Sequence, residues 1–269
     1  MVSKEQRRRQ LARQKYQRQS ERRAAAQRRA KVRNTIVAVV LVVLVGGGGA
    51  VAALTLGGDD GQRTAGAAPS SSPSPFEDPC EQPAKGEPGS EQWEEKPELA
   101  IDTSASYTMT LETTCGDIEV ALDAKNAPQT VNSFHFLTGE NYFDHTRCHR
   151  LVDQGIYVLQ CGDPQGTGQG GPGYELPDEN LDAPEVKDGT YPAGTVAMAN
   201  AGTGTGGSQF FLVYEDSPLP ADYTPFGTIT TGMDVLQKIA EAGSEPDPQI
   251  QATTPRATVV LNDVTVRES

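Results

Sequence analysis

The sequence lacks the short motifs that mark several common catalytic chemistries. It contains no C-x-x-C redox pair, no H-E-x-x-H metal motif and no G-x-S-x-G serine motif. A thiol–disulfide oxidoreductase of the C-x-x-C type is therefore excluded. A zinc hydrolase or a serine hydrolase has no support. We expect a protein that works without a metal or a cofactor.

Apolar and aromatic residues are also scarce, at 36% and 6% of 269 residues, which is low for one core built from the whole chain. Charge divides the chain into three segments. Residues 1–34 hold 13 Lys and Arg against 2 Asp and Glu, residues 35–56 hold no charge, and residues 57–269 hold 10 against 34. A compact soluble enzyme that uses its whole length is excluded, and so is a nucleic-acid binder that uses the acidic part.

The uncharged segment, residues 35–56, has the length and composition of a transmembrane helix. Its 22 residues would rise about 33 Å as a helix, enough to cross the hydrocarbon core. The basic residues 1–34 place the N-terminus in the cytoplasm and the rest of the chain outside. A signal peptide cleaved near Ala52 and Ala53 is the alternative, although 34 basic-rich residues are long for one. The same basic residues suit an anionic lipid surface better than a nucleic acid.

Residues 57–96 are rich in Pro, Gly, Ser and Glu and poor in branched aliphatic residues, which predicts a disordered linker. The single tryptophan, Trp93, lies near the end of this linker, where we expect it to pack at the start of the folded domain. That domain is predicted to comprise residues 97–269.

Within residues 97–269, short alternating apolar runs predict strands, and two segments predict helices. Eight strand-length runs are bounded by Gly, Pro, Asn or Asp. One helix is predicted from Pro128 to Gly139, and the other in GMDVLQKIAEAG, where Leu236 and Ile239 share a face. The pattern favours a mainly β fold, a closed eight-stranded antiparallel barrel capped by two α-helices.

Other local clusters carry no convincing chemistry. His145, Cys148 and His149 are close in sequence, but neighbours on a strand point to opposite faces and do not easily bind one metal ion. The segment GTGQGG at 166–171 is followed by prolines rather than a helix, so it is interpreted as a surface loop and not as a dinucleotide site. Cys148 and Cys161 bracket a predicted hairpin, and a disulfide between them is a hypothesis.

One cation stands among apolar and aromatic residues on the predicted strands. Arg150 lies on one strand, Tyr157, Val158 and Gln160 lie on the next, and the segments MANA and QFF follow. The residues alone leave two interpretations open: a binding surface with a fixed arginine, or a barrel core with an exposed one.

These segments resemble motifs of the cyclophilin family. CHRLVDQGIYVLQCGD is similar to its F-H-R-(V/I)…Q-G-G-D motif, and VAMANAGTGTGGSQFFLVYE is similar to its M-A-N-A…G-S-Q-F-F motif. FGTITTGMDVLQKIA and GDIEVALDAKNAPQTVNSFHF resemble two further motifs, and the matches run in order from about residue 106 to the end. The resemblance implies the family's eight-stranded barrel with two capping helices. It also implies the family's activity, peptidyl-prolyl cis–trans isomerisation.

The resemblance also implies a site. Arg150 would be the catalytic group that hydrogen-bonds to the imide nitrogen in an apolar pocket, and Gln160 would orient the substrate. The implied substrate-binding residues are Tyr157, Val158, Ala199, Asn200, Ala201, Gln209, Phe211, Leu219 and Tyr223. The stretch between Arg150 and Gln160 is longer than in the commonest members, which predicts a longer turn at DQG. Leu219 is interpreted as standing where cyclosporin-sensitive members carry Trp, and Tyr223 as standing where many members carry His. Weak cyclosporin binding is therefore implied.

Together these observations predict a membrane-anchored bacterial form whose domain lies outside the cytoplasm. We expect a monomer that acts on proline-containing segments of exported or unfolded polypeptides and binds no nucleic acid. Two alternatives remain. One is a module with the same fold that holds proline-containing segments, as a chaperone does, without catalysis. The other is a membrane scaffold whose acidic surface binds basic partners.

Overall fold

The computed structural model describes residues 76–269. The predicted basic segment 1–34, the predicted membrane span 35–56 and residues 57–75 of the predicted linker lie outside the described residues. Over residues 76–269, no helix combines the length and the apolar character needed to cross a bilayer.

Eleven strands and two helices are assigned in the described part of the chain. Their bounds, in chain order, are β1 Tyr107–Thr113, β2 Gly116–Leu122, α1 Pro128–Gly139, β3 Thr146–Arg147, β4 Arg150–Gln154, β5 Ile156–Cys161, β6 Thr195–Met198, β7 Phe210–Val213, β8 Pro225–Thr231, α2 Met233–Glu241, β9 Ser244–Asp247, β10 Ala252–Pro255 and β11 Val260–Glu268.

Nine antiparallel strands form one curled sheet in the order β3-β11-β1-β2-β8-β6-β7-β5-β4, and β9 and β10 form a separate hairpin. The predicted closed, eight-stranded barrel is corrected in both strand number and closure. The chain around the predicted strand CHRLV is divided at Cys148 and His149, because β3 pairs with β11 whereas β4 pairs with β5. The strands β3 and β4 are therefore the two edges of the sheet. Within residues 76–269, no continuous ladder of hydrogen bonds closes it.

Both predicted helices are present. Pro128 occupies the first turn of α1, where its missing N–H costs nothing, and Val131 and Phe134 are fully buried against the sheet. Helix α2 buries Leu236 and Ile239, the two residues that the period of 3.6 places on one face.

The strands β5, β6 and β7 are apolar on both faces, which is why their sequences alternate only weakly with polar residues. Leu159 and Phe210 point into the main core, where Phe134 of α1 also lies. Val158 and Phe211 point to the opposite side and belong to a second, smaller apolar cluster. The sheet therefore separates two apolar layers, and the outer layer is the one that remains partly open.

Residues 76–96, which composition assigned to the linker, pack on the folded domain without regular secondary structure. Cys80 forms a disulfide with Cys115, and Asp78 accepts a hydrogen bond from the backbone N–H of Thr258. The ring of Trp93 lies edge-on to Phe136, so the expected packing role of Trp93 is confirmed. The structured unit therefore includes residues that precede residue 97.

The β4–β5 hairpin differs from the expected longer turn. Arg150 pairs with Gln160 and Gln154 pairs with Ile156, so the turn is reduced to Gly155, which has a φ of +80°. A positive φ is readily adopted by glycine, which has no Cβ. The additional residues of the DQG stretch therefore lengthen the β4–β5 ladder, and the turn itself stays tight. The hypothesised Cys148–Cys161 disulfide at the other end of this hairpin is confirmed.

Candidate active site beside Arg150

A cavity of about 160 Å³ opens on the outer face of the sheet, where β7, β5 and β4 are neighbours. Its lining consists of Arg150, Ile156, Val158, Gln160, Ala199, Asn200, Phe211, Leu219 and Tyr223. Eight of these nine residues belong to the predicted site, and Ile156 is the addition. Because an apolar cavity of about 150 Å³ holds a benzene molecule, this one has room for a single five-membered ring.

A chain of hydrogen bonds fixes the arginine at the edge of this cavity. Arg150 Nη1 donates to Gln160 Oε1 at 3.1 Å across the β4–β5 ladder. Gln160 Nε2 donates in turn to Gln209 Oε1 at 2.9 Å, and Gln209 Nε2 donates to the carbonyl oxygen of Gly170 at 2.9 Å. Each amide is thereby held in one orientation, and the guanidinium has a defined place.

Arg150 keeps its charge in a half-buried position. Burial lowers the pKa of Arg150, and the nearby Tyr223 opposes that shift. A guanidinium remains protonated at neutral pH even after such a shift. Since Gln160 is a neutral partner, its hydrogen bond orients the guanidinium without neutralising it. The site thus places a positive hydrogen-bond donor beside the apolar side chains of the cavity wall.

Two aromatic residues, Phe211 and Tyr223, form part of the cavity wall. The rings of Phe211 and Tyr223 meet edge to face, with centroids 5.5 Å apart. Tyr191 holds Tyr223 in place, because its hydroxyl donates to the carbonyl oxygen of Tyr223 at 2.6 Å and accepts from the backbone N–H of Tyr223 at 3.1 Å. Burial raises the pKa of Tyr191 to about 12, so this hydroxyl stays protonated. No local motif pointed to Tyr191, whose role depends on a contact 32 residues away.

Tyr157 is the one predicted site residue that the structure places elsewhere. It lies on β5 between Ile156 and Val158, so its side chain points to the opposite face of the strand, where it meets Tyr214 at a centroid distance of 5.8 Å. Ile156 lines the cavity in its stead. The physical reason is the period of two along a strand: with Gln160 facing the cavity, residues 156 and 158 must face it as well.

A second cavity of about 520 Å³ adjoins the first, and Gln160, Ala199 and Asn200 line both. The two remaining predicted residues, Ala201 and Gln209, line this second cavity. Together the two cavities form one groove. If the smaller cavity held a five-membered ring of a peptide, the larger one would have room for the residues on one side of that ring. An extended peptide has the shape that such a groove accommodates.

Residues 168–171 of the glycine-rich segment 166–171 line the second cavity, and the segment is organised around Asp163. This buried carboxylate accepts backbone hydrogen bonds from Gln165, Thr167, Gly168, Gln169 and Gly170 at 2.7–3.2 Å. Burial alone would raise the pKa of Asp163, but these hydrogen bonds outweigh it and hold the pKa below its ordinary value. The segment therefore wraps a carboxylate of its own chain, in agreement with its interpretation as a loop rather than a dinucleotide site.

The histidines do not gather into a metal centre. No group of three or more His, Cys, Asp or Glu residues suited to a metal ion occurs over residues 76–269. His149 is 1% exposed, and neither of its ring nitrogens has a hydrogen-bond partner among the described residues. Burial, helped by Arg147 and Arg150 and opposed by Asp163, lowers the pKa of His149 to about 4.

Because His149 is buried in its neutral form, we expect the free energy of unfolding to fall as the pH is lowered from about 6.5 to about 4. The unfolded chain takes up a proton near pH 6.5, whereas the folded protein resists it until about pH 4. The loss should reach about 3 kcal/mol, since one pKa unit corresponds to about 1.4 kcal/mol. Urea unfolding at a series of pH values measures this loss of unfolding free energy.

His149→Leu should flatten the dependence of the unfolding free energy on pH between about 6.5 and about 4. His135→Gln, at an exposed position, should leave that dependence unchanged. Equal slopes in all three proteins would contradict the assignment.

Comparison with known proteins agrees with this geometry. A model of the family described as cyclophilin type peptidyl-prolyl cis-trans isomerase/CLD matches residues 108–266. A "Probable peptidyl-prolyl cis-trans isomerase B" of Mycobacterium leprae is 47% identical over 148 residues, which are 52% of this chain and 50% of that protein. The "Peptidyl-prolyl cis-trans isomerase B" of Bacillus subtilis is 40% identical over 124 residues, which are 46% of this chain and 82% of that protein.

A solved structure shows the same fold. The cyclophilin type peptidyl-prolyl cis-trans isomerase of Cryptosporidium parvum, crystallised in the presence of the dipeptide Ala-Pro, aligns with a TM-score of 0.52 and 28% identity. The alignment covers 60% of this chain and 99% of the Cryptosporidium parvum chain. The chain spans only about half the length of the Mycobacterium leprae relative. The family match covers more than half of the present chain, and its matched residues contain the whole described cavity. The chain therefore belongs to the cyclophilin-type peptidyl-prolyl cis-trans isomerase family.

Proposed function

We propose that the domain is a peptidyl-prolyl cis–trans isomerase that accelerates rotation about X–Pro bonds. The observation that carries this proposal is the Arg150 guanidinium, held by Gln160 at 3.1 Å on the edge of a cavity that is the size of one small ring and has apolar side chains such as Val158 in its wall. The names of the relatives agree with it.

The reaction needs no nucleophile and no acid–base pair. Rotation about the X–Pro bond is slow because amide resonance opposes it, with a barrier of about 18–20 kcal/mol. In the twisted state the imide nitrogen loses conjugation, and its lone pair becomes available to a hydrogen-bond donor. Arg150 would donate to that nitrogen and so bind the twisted state better than the planar one, which is the requirement for catalysis.

The surrounding residues would supply what the arginine needs. Val158, Phe211 and Leu219 give the cavity apolar walls that hold a proline ring and exclude water, which strengthens a hydrogen bond from the guanidinium. The groove past Asn200 would hold the chain on one side of the proline. We infer that the substrates are polypeptides containing X–Pro, as the Ala-Pro dipeptide present with the Cryptosporidium parvum protein suggests.

We propose further that the domain works outside the cytoplasm on exported or unfolded chains, tethered by residues 35–56. The basic N-terminal segment and the uncharged run that follows support this topology. The two disulfides of the described part suit an oxidising compartment. A monomeric state and weak cyclosporin binding remain predictions.

Exchange spectroscopy by NMR tests the activity directly. A fragment that begins at Ser72 keeps Cys80 and the segment that packs on the domain. Added in catalytic amounts to an Ala-Pro-containing peptide, it should raise the rate of cis–trans exchange in proportion to its concentration. Peptide signals that shift on binding while exchange stays at its uncatalysed rate would favour the holding module instead.

A further inference from the structure

A disulfide lies at the end of the hairpin that carries the proposed catalytic arginine. Cys148 directly follows β3, and its backbone N–H donates to the carbonyl oxygen of Val259 at 3.0 Å. Cys161 is the last residue of β5 and pairs with Phe210 of β7. Both cysteines are buried. The bridge therefore joins the end of the β11-paired segment to the interior strand β5.

This bridge flanks the Arg150–Gln160 pair on both strands. Arg150 is two residues after Cys148, and Gln160 immediately precedes Cys161. Between Cys148 and Arg150 the chain leaves β11 and joins β5, so the backbone ladders on the two sides do not overlap there. Arg150 is thus the first residue of an edge strand, a position where strands fray most readily.

On the outer side of β4, the β9–β10 hairpin faces Arg150 across a cavity, and its hydrogen bond to β4 is made one residue beyond Arg150. Thr253 Oγ1 of that hairpin donates to the carbonyl oxygen of Leu151 at 2.5 Å. The disulfide is therefore the covalent restraint nearest to the guanidinium. The walls of the small cavity at Val158 and Phe211 belong to β5 and β7, which are interior strands held by backbone pairing on both sides.

We propose that the Cys148–Cys161 disulfide is a positioning element for catalysis, one that holds Arg150 at the working distance from the proline cavity. This inference rests on the proposed isomerase function. Loss of the bridge should leave the cavity able to bind proline while the guanidinium samples other positions. Since a misplacement of about 1 Å can cost about 100-fold in rate, the expected effect falls on kcat and not on KM.

The domain contains its own control, the Cys80–Cys115 disulfide. Cys115 is buried and Cys80 partly buried, but neither lies on β4 or β5 or next to Arg150 or Gln160 in the chain. Cys80 and Cys115 are 35 residues apart, against 13 for Cys148 and Cys161, so in the chain-entropy account the control bridge contributes more to stability. An effect on activity that arose only from lost stability would be larger in the control variant.

The test compares kcat and KM for an X–Pro peptide in three full-length proteins purified in mild detergent: the unchanged chain, Cys148→Ala/Cys161→Ala and Cys80→Ala/Cys115→Ala. We expect kcat to fall by about tenfold or more in the first variant, with KM within about twofold. The control variant should keep both constants within about twofold, even with a lower melting temperature. The side-chain N–H signals of Arg150 and Gln160 should shift in the first variant and remain in the control.

Several results would overturn the proposal. An unchanged kcat in the folded Cys148→Ala/Cys161→Ala protein would do so, and so would equal losses in both double variants, which would show a structural role alone. If the alanine pair does not fold, Cys148→Val/Cys161→Ala refills the volume and is measured in its place. An unchanged chain that catalyses no exchange refutes the isomerase function itself, so the two failures are distinguishable.

Discussion

Replacing Arg150 with alanine should lower the catalysed rate of X–Pro exchange by about 100- to 1,000-fold, the usual cost of removing a hydrogen-bond donor that acts in the transition state. The apolar walls at Val158 and Phe211 remain in this variant, so binding of the peptide should change little. Exchange spectroscopy gives the rate, and titration of the peptide signals gives the dissociation constant. A fall in rate at nearly constant affinity would locate the effect in the twisted state.

Two further variants separate charge from geometry. Arg150→Lys keeps the positive charge but loses the planar guanidinium, which can bond to Gln160 and still present donors to the substrate. We therefore expect a rate between those of the alanine variant and the unchanged protein. Arg147→Ala is the matched control: this side chain is 52% exposed, lies 3.8 Å from Asp247 and lines neither of the two adjoining cavities. A fully active Arg150→Ala protein would mean that another group performs the reaction.

Much of the fold follows from local pattern. The helix from Pro128 was predictable because a proline at the first turn and buried residues at a period of 3.6 act within one segment. The division of the predicted strand CHRLV between β3 and β4 was not predictable, because it depends on tertiary pairing: β3 pairs with the distant strand β11, and β4 pairs with β5. Residues 76–96 escaped prediction for the same reason. Their composition is that of a linker, and contacts such as the Cys80–Cys115 bridge hold them in place.

For the site as well, residues within motifs could be predicted, whereas residues placed by strand register or by distant contacts could not. Arg150, Gln160 and Phe211 lie in motifs whose order along the chain identifies them. Tyr157 was predicted to line the small cavity. The β4–β5 ladder continues to Gly155, however, so Ile156 and Val158 face the cavity and Tyr157 faces the other side of the strand. Tyr191 lies outside every motif and reaches the site only through its bonds to Tyr223.

We expect Asp163→Ala to lower the free energy of unfolding by about 3 kcal/mol or more, and to reduce kcat/KM as well. Its carboxylate is fully buried and receives five backbone N–H groups of one loop, and hydrogen bonds to a charged group are each worth about 1.5–3 kcal/mol. Alanine would leave these donors without their acceptor. Chemical denaturation at pH 7 measures the loss of stability.

The effect on kcat/KM has a specific route. Gly170 donates to Asp163 and, through its carbonyl oxygen, accepts from Gln209, whose own amide oxygen holds Gln160 beside Arg150. A loosened loop should therefore disturb the orientation of the guanidinium as well as the wall of the second cavity. Asp178→Ala is the graded control, because this partly exposed carboxylate receives a backbone bond from Gly204 at 2.8 Å, so its loss should cost about 1 kcal/mol. If Asp163→Ala and Asp178→Ala lost the same stability and kept the same kcat/KM, the buried carboxylate would not organise the loop, and the chain of amides would have to be oriented from β5 and β7 alone.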